Sequence, residues 1–297
     1  MGTMAGMRRS VGILHPGAMG AQVGAQAAES AAESDVWWVG TGRSAETRAR
    51  ADAAGLRDAG SLSSLVDACD VILSVCPPAA ALDVAREVAA TTFSGIYVDA
   101  NAISSDHAAA VAGLFAGRAR VVDGGIVGGP PRSGARGGGR TRLYLSGGDA
   151  GAVDVVRALF AGTALEPHVL SGPVGQASAL KLAFASFNKI SYLLAAQSYA
   201  IASGHDVLDE LFSLASEMVP GTLLARPDQV TSAGPRAWRW APEMDEIADA
   251  CAGVGVPGNV ADAASAAFAR WAGLKGRGDV EVDELVLGMR DREGDGG

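Results

Sequence analysis

The sequence predicts a doubly wound, largely parallel α/β sheet followed by an all-α C-terminal domain. Short β-branched runs alternate with Ala-rich helical stretches up to residue 171. After Gly172-Pro173 the strand signals almost vanish and proline-punctuated helical stretches take over. A chain of 297 residues is also long enough for two domains at roughly 100–200 residues each.

The strand runs are VGIL (11–14), VWWV (36–39), VILSV (71–75), IYVDA (96–100), RVVD (120–123) and TRLYLS (141–146). Helical stretches near 18–32, 44–54, 78–90 and 105–116 separate the early ones. Crossovers of that length make neighbouring strands parallel and cover both faces of the sheet. Further helices are expected over 174–204, 207–219, 241–253 and 258–273, with Pro220, Pro227, Pro235 and Pro257 in the gaps. A continuous helix over 174–204 would run about 45 Å at 1.5 Å per residue, longer than a small domain needs. It is apolar on most faces (Leu182, Phe184, Phe187, Ile190, Leu193, Tyr199), so it is expected to lie between two subunits of a homodimer. A core helix within one subunit is the alternative. The expected layout is a disordered leader (1–10), the sheet domain (11–171), the helical domain (172–275) and an acidic, Gly-rich tail that frays (276–297).

Composition narrows the function. The chain is 48% hydrophobic and 19% charged, and its net charge of −9 argues against a sequence-independent nucleic-acid binder. Cys69, Cys76 and Cys251 are scattered and odd in number, with no zinc or redox spacing, which fits a reduced, cytoplasmic setting. The twin Arg8-Arg9 precedes only Val11–Leu14, too short for a signal-peptide core. The apolar stretch 182–204 is interrupted by Asn188, Lys189 and Gln197, so no membrane span is expected. His15, His107, His168 and His205 lie far apart, and no metal site or Ser/His/Asp triad is expected.

The segment after the first strand, His15, Pro16, Gly17, Ala18, Met19 and Gly20, is a Gly-rich turn opening an Ala-rich helix. Gly17 would let the backbone approach a pyrophosphate, Gly20 would allow close helix packing, and the helix-start amides present partial positive charge. His15 stands where the first glycine of GxGxxG is usual and reads as a turn residue. Strand before and helix after favour a dinucleotide site of Rossmann type over a purely structural turn. The end of the second strand, Trp38 to Ser44, carries no acid to grip a ribose 2′-hydroxyl. Gly40 leaves room there, while Arg43 and Ser44, with Arg48 a turn on, suit a 2′-phosphate, so NADP is expected. Arg43 as a solvent arginine and Ser44 as a helix N-cap are the alternatives.

Four segments, in order across nearly the whole chain, resemble the β-hydroxyacid dehydrogenase superfamily, which includes 3-hydroxyisobutyrate and 6-phosphogluconate dehydrogenases and the imine reductases. LHPGAMG (14–20) is similar to its GLGxMG turn, DANAIS (99–104) to DxST and DGGIVGG (123–129) to DAPVSGG. GPVGQASALK (172–181) is similar, without a gap, to the segment ending in the catalytic lysine. GGPP (128–131) and WAPEMDEI (240–247) resemble a phosphogluconate-dehydrogenase-like branch. The resemblance implies Lys181 as the general acid/base, with Leu180, Leu182, Ala183 and Phe184 as its apolar setting. It also implies Asn101 facing substrate and nicotinamide, a Cys76-Pro77-Pro78 loop over the cofactor, and Gly128 and Gly129 amides on a substrate carboxylate. Each of these last has a plain reading as turn chemistry.

Two positions depart from the family pattern. Its carboxylate-binding serine is Val127 here, and its asparagine one turn after the lysine is Ala185, with Asn188 returning to the Lys181 face. A larger or less polar carbonyl compound fits these changes. The loop 128–140 could bring Arg132, Arg136 or Arg140 to an anion or be a plain surface connection, and Glu243 and Asp245 suit a helix start. The resulting expectation is an NADP-dependent oxidoreductase acting on a small-molecule substrate, interconverting a hydroxy acid, or related alcohol, and a carbonyl compound by hydride transfer. Imine reduction is the alternative within enzymes, although retention of the lysine speaks against it. A non-catalytic NADP-binding sensor or assembly protein is the alternative outside them.

Overall fold

The computed structural model describes residues 9–30, 35–132 and 141–290. The chain opens with β1 (Ser10–Leu14), α1 (Ala18–Glu29), β2 (Asp35–Trp38), α2 (Ala45–Ala53), β3 (Arg57–Asp58), α3 (Leu62–Ala68) and β4 (Val71–Ser74). It continues through α4 (Ala81–Ala89), β5 (Ile96–Asp99), α5 (Ser105–Leu114), β6 (Arg120–Val127), β7 (Thr141–Ser146), α6 (Ala150–Leu159) and β8 (Leu165–Val169). Then come α7 (Gln176–Ser203), α8 (Leu208–Met218), α9 (Pro227–Thr231), α10 (Ala241–Gly253), α11 (Asn259–Ala269) and α12 (Val282–Met289).

One sheet holds all eight strands in the order β3-β2-β1-β4-β5-β6-β7-β8, parallel except between β6 and β7. β1 pairs with both β2 and β4, so the winding reverses there and a crevice opens beyond the carboxyl ends of those strands. β4 and β5 are buried at every residue, as strands covered on both faces must be. One core layer joins Val11, Ile13, Leu73 and Val98 to α1 and α6, and the other joins Ile72 and Tyr97 to Leu65, Val84 and Val111. Ser44, Ser61, Ser104 and Asp149 each cap a helix by accepting the amide three residues on. Each such cap contributes about 1 kcal/mol.

The short β3 and the elements α3, α6 and β8 were not expected from the sequence. The compact units divide within α7, the first reaching Leu182 and the second starting at Ala183, rather than at the expected 171/172. In the second unit Trp240, Phe268 and Trp271 form a run of ring contacts. Glu243 is in the first turn of α10, as expected of a helix-start acid, but it is buried and ion-paired with Lys189, whose ammonium also lies 5.7 Å from the Trp240 ring. Asp245 accepts a hydrogen bond from Ser265 Oγ at 2.8 Å.

The tail needs correction. Instead of fraying from Gly276, it forms α12, started by a reciprocal Glu281/Glu284 capping box. Leu285 and Val286 are buried, and Trp271 Nε1 donates to Leu285 O at 3.0 Å. Val280, just before the helix, is buried too, so the acidic stretch carries its own apolar anchors. The expected leader up to residue 8 and the last residues, 291–297, lie outside the described residues. Among the described residues no helix is long and apolar enough to cross a membrane.

Candidate active site

The turn between β1 and α1 has the form a dinucleotide phosphate requires. A Cβ on Gly17 would meet nothing within 4 Å, whereas a Cβ on Gly20 would come 2.6 Å from His15 O. Gly17 therefore leaves its side open to a ligand and Gly20 lets α1 sit tight on the turn. No side chain caps α1 and no acid occupies its first turn, so the amides of Ala18, Met19 and Gly20 face outward with their partial positive charge. Met19 packs its side chain on the sheet core, and Pro16 is buried. His15 has φ of +62°, in the left-handed region, which explains why a glycine is usual at this place. Its Nδ1 is buried without a hydrogen-bond partner. Burial, helped by the Arg43 charge, pushes its pKa down from 6.5 to about 4, so the imidazole is neutral at physiological pH.

The end of β2 differs from expectation. The space beside Gly40 is not open, because a Cβ there would come 2.9 Å from Arg48 Nη1 and closer still to Asp58. Asp58 ends β3, directly across from Trp38, and accepts the amides of Gly40 (2.9 Å) and Gly60 (2.8 Å). These amides, Gly60 first, hold its carboxyl below the usual carboxylate range. Arg48 is drawn to it at 3.8 Å rather than held ready for a phosphate. Ser44 Oγ accepts the Thr47 amide at 3.2 Å, which is the N-cap reading. Arg43 is half-buried, and its charge reaches both His15 and Cys76. Asp58 was not legible in the sequence because the two-residue strand that carries it gives almost no periodic signal.

Asn101 follows the end of β5. It is 3% exposed and both ends of its amide are engaged: Oδ1 accepts the Cys76 amide at 2.6 Å, and Nδ2 donates to Ser74 Oγ and Asp99 Oδ2, each at 3.0 Å. It ties the ends of β4 and β5 together. Cys76 follows at the rim, half-buried, with its thiol pushed up to about 11, chiefly by burial, so it stays protonated. Pro77 is exposed at the start of the 3-10 turn Pro78–Ala80.

The C-terminal end of β6 carries the other half of the site. Asp123 is fully buried at the N-terminus of α7. Its Oδ2 accepts the amides of Gly175, Ala177 and Ser178 (2.8–3.1 Å) and Ser146 Oγ, and its Oδ1 accepts Ser178 Oγ at 2.6 Å. Burying a carboxylate costs several kcal/mol, and hydrogen bonds to a charge, at roughly 1.5–3 kcal/mol each, offset it here. Two residues on, a Cβ at Gly125 would lie 2.5 Å from Ala177 O and 3.1 Å from Lys181 Cβ. A carboxylate clamp and a bare α-carbon thus seat the first turns of α7 on β6 and bring Lys181 to the strand's end. Lys181 is half-buried, but of its expected apolar neighbours only Leu182 is buried, while Leu180, Ala183 and Phe184 are exposed. Beyond Lys181, Val127 is half-buried, Gly128 has φ of +121°, and Gly129 has open space on its side-chain face. Ala185 is buried and Asn188 exposed on α7. Arg132 is exposed, and Arg136 and Arg140 lie outside the described residues.

Residues 202–271 match a family described as a domain of unknown function, DUF1932. No curated protein sequence matches the chain. Among solved structures, a Mycobacterium tuberculosis 3-hydroxyisobutyrate dehydrogenase is 17% identical, with a TM-score of 0.72 covering 96% of this chain and 100% of that one. A Salmonella typhimurium 3-hydroxyisobutyrate dehydrogenase is 18% identical, with a TM-score of 0.66 over 94% and 99%. An imine reductase from a Pseudomonas species is 19% identical, with a TM-score of 0.53 over 95% and 100%. The chain carries a DUF1932 match in its helical part and shares its fold with these two 3-hydroxyisobutyrate dehydrogenases.

Proposed function

We propose that the protein is an NADP-dependent oxidoreductase that interconverts a hydroxy acid, or a related alcohol, and a carbonyl compound, with Lys181 as general acid/base. The observation that carries this reading is the seat of Lys181, held against β6 by the bare face of Gly125 and by the Asp123 clamp on the start of its helix. Such effort to fix one lysine beside a dinucleotide-type sheet end suits proton transfer, which depends on position.

The bound nicotinamide cofactor supplies or accepts the hydride. Gly17 and the amides opening α1 would hold the pyrophosphate, and the neutral His15 closes the turn without adding charge. Arg43 would meet a 2′-phosphate, the feature that favours NADP over NAD. In the reducing direction Lys181 gives its proton to the carbonyl oxygen as hydride reaches the carbon, and in the oxidising direction it takes that proton back. The amides of Gly128 and Gly129 orient the substrate's oxygens. The exposed apolar side chains of α7 suit a homodimer, whose second subunit would complete the apolar cover over the lysine.

The test is consumption of NADPH, with NADH as comparison, across a panel of small oxo acids, neutral ketones and cyclic imines. The reading predicts oxidation of NADPH driven by one or more carbonyl compounds. Binding of NADPH without consumption by any of them would support a cofactor-binding sensor instead, and turnover restricted to imines would make the protein an imine reductase.

A further inference from the structure

We propose that Arg142, which no motif singled out, holds an anionic group of the substrate, a carboxylate or a phosphate. The proposal rests on the hydride-transfer reading of the same site and names its substrate class. β6 and β7 pair antiparallel, with Asp123 opposite Ser146, Gly125 opposite Tyr144 and Val127 opposite Arg142. Alternation along strands puts all six on one face. That face is the one α7 covers: Ser146 Oγ donates to Asp123, which caps α7, and the side-chain direction of Gly125 leads to Lys181 Cβ. Arg142 therefore shares the face of Lys181 and stands directly across from Val127.

Val127 occupies the place where the resemblance implies a hydroxyl for a substrate carboxylate. An apolar side chain there cannot bind an anion, but its cross-strand neighbour can. Opposed Cβ atoms sit about 5 Å apart, and the guanidinium reaches beyond that on a long stem. The next strand braces the tyrosine that the arginine touches. On β8, Glu166 lies opposite Arg142 and His168 opposite Tyr144. The rings of Tyr144 and His168 stack at 5.3 Å, His168 Nε2 lies 3.6 Å from Glu166 Oε1, and Arg142 Nη1 reaches Tyr144 Oη at 3.5 Å. A guanidinium has five donors, so this bracing leaves a fork for a bidentate anion, and the exposed position of Arg142 leaves it reachable.

The full-length protein, Arg142→Gln and Arg142→Lys would be titrated calorimetrically with malonate and, separately, with inorganic phosphate, each with and without NADPH. Circular dichroism checks that the variants fold, as substitution of an exposed side chain should allow. Saturable binding of one anion to the wild type is expected, weakened about tenfold or more in Arg142→Gln and less in Arg142→Lys. Loss confined to malonate names a carboxylate, and loss confined to phosphate names a phosphate. NADPH affinity should be the same in all three proteins. The proposal is overturned if neither anion binds the wild type or if Arg142→Gln binds as tightly. Failure of NADPH to bind the wild type would sink the cofactor reading alone, because the titrations without NADPH still decide what Arg142 does.

Discussion

His15 sits in a backbone conformation that costs a non-glycine residue of order 1–3 kcal/mol, and its buried Nδ1 has no hydrogen-bond partner. Strain of this kind persists only where the surrounding structure holds it in place. The depressed pKa has a consequence for stability. Unfolded His15 titrates near 6.5 and the folded residue near 4, so between those values the unfolded chain binds more protons. The residue's contribution is therefore fully present above pH 6.5 and is lost as the pH falls towards 4. His15→Gly removes that loss. At pH 7 the variant is expected to differ from wild type by less than about 1 kcal/mol, since relief of strain and the added chain entropy of glycine oppose each other. Its thermal unfolding should fall less steeply than wild type on acidification. Parallel curves would show that His15 titrates normally.

α7 satisfies its own polar groups and leaves a line of apolar side chains exposed. Phe184, Phe187, Ser191, Leu194, Ser198 and Ile201 follow at alternating steps of three and four, the spacing of a coiled-coil seam. The four apolar members are 51%, 79%, 57% and 61% exposed. The two serines donate to the carbonyls of Phe187 and Leu194 in their own helix, so burial of the seam would leave no hydroxyl stranded. Beside its end, a cavity of about 420 Å³ is lined by residues including Ile201, Val207, Leu211 and Leu214. A second copy of the chain is the occupant proposed for this seam. Light scattering should give twice the chain mass for the wild type and a monomer for Phe187→Asp. A monomeric wild type at micromolar concentration, or a variant of unchanged mass, would remove the dimer.

For the molecule as a whole, what was legible in the sequence followed burial and local order. β4 and β5 were legible from the short apolar runs Val71–Leu73 and Ile96–Val98 because both their faces are covered, and the tight β1–α1 turn was legible because its glycines fall between a strand and a helix. The interactions that set the site's geometry were not legible, because they join distant residues. Asp58 reaches back to Gly40, Asn101 to Cys76, and Asp123 forward to the start of α7, and none of these pairs leaves a periodic trace. The Lys181 motif was legible through resemblance, while its physical support, the contact with Gly125, needed the register of β6. The central claim is that this supported lysine moves the proton. The most direct measurement is kcat for Lys181→Ala, with a carbonyl substrate found by the panel and NADPH saturating. The account predicts a fall of about a hundredfold or more with NADPH affinity unchanged, and a kcat close to wild type would contradict it.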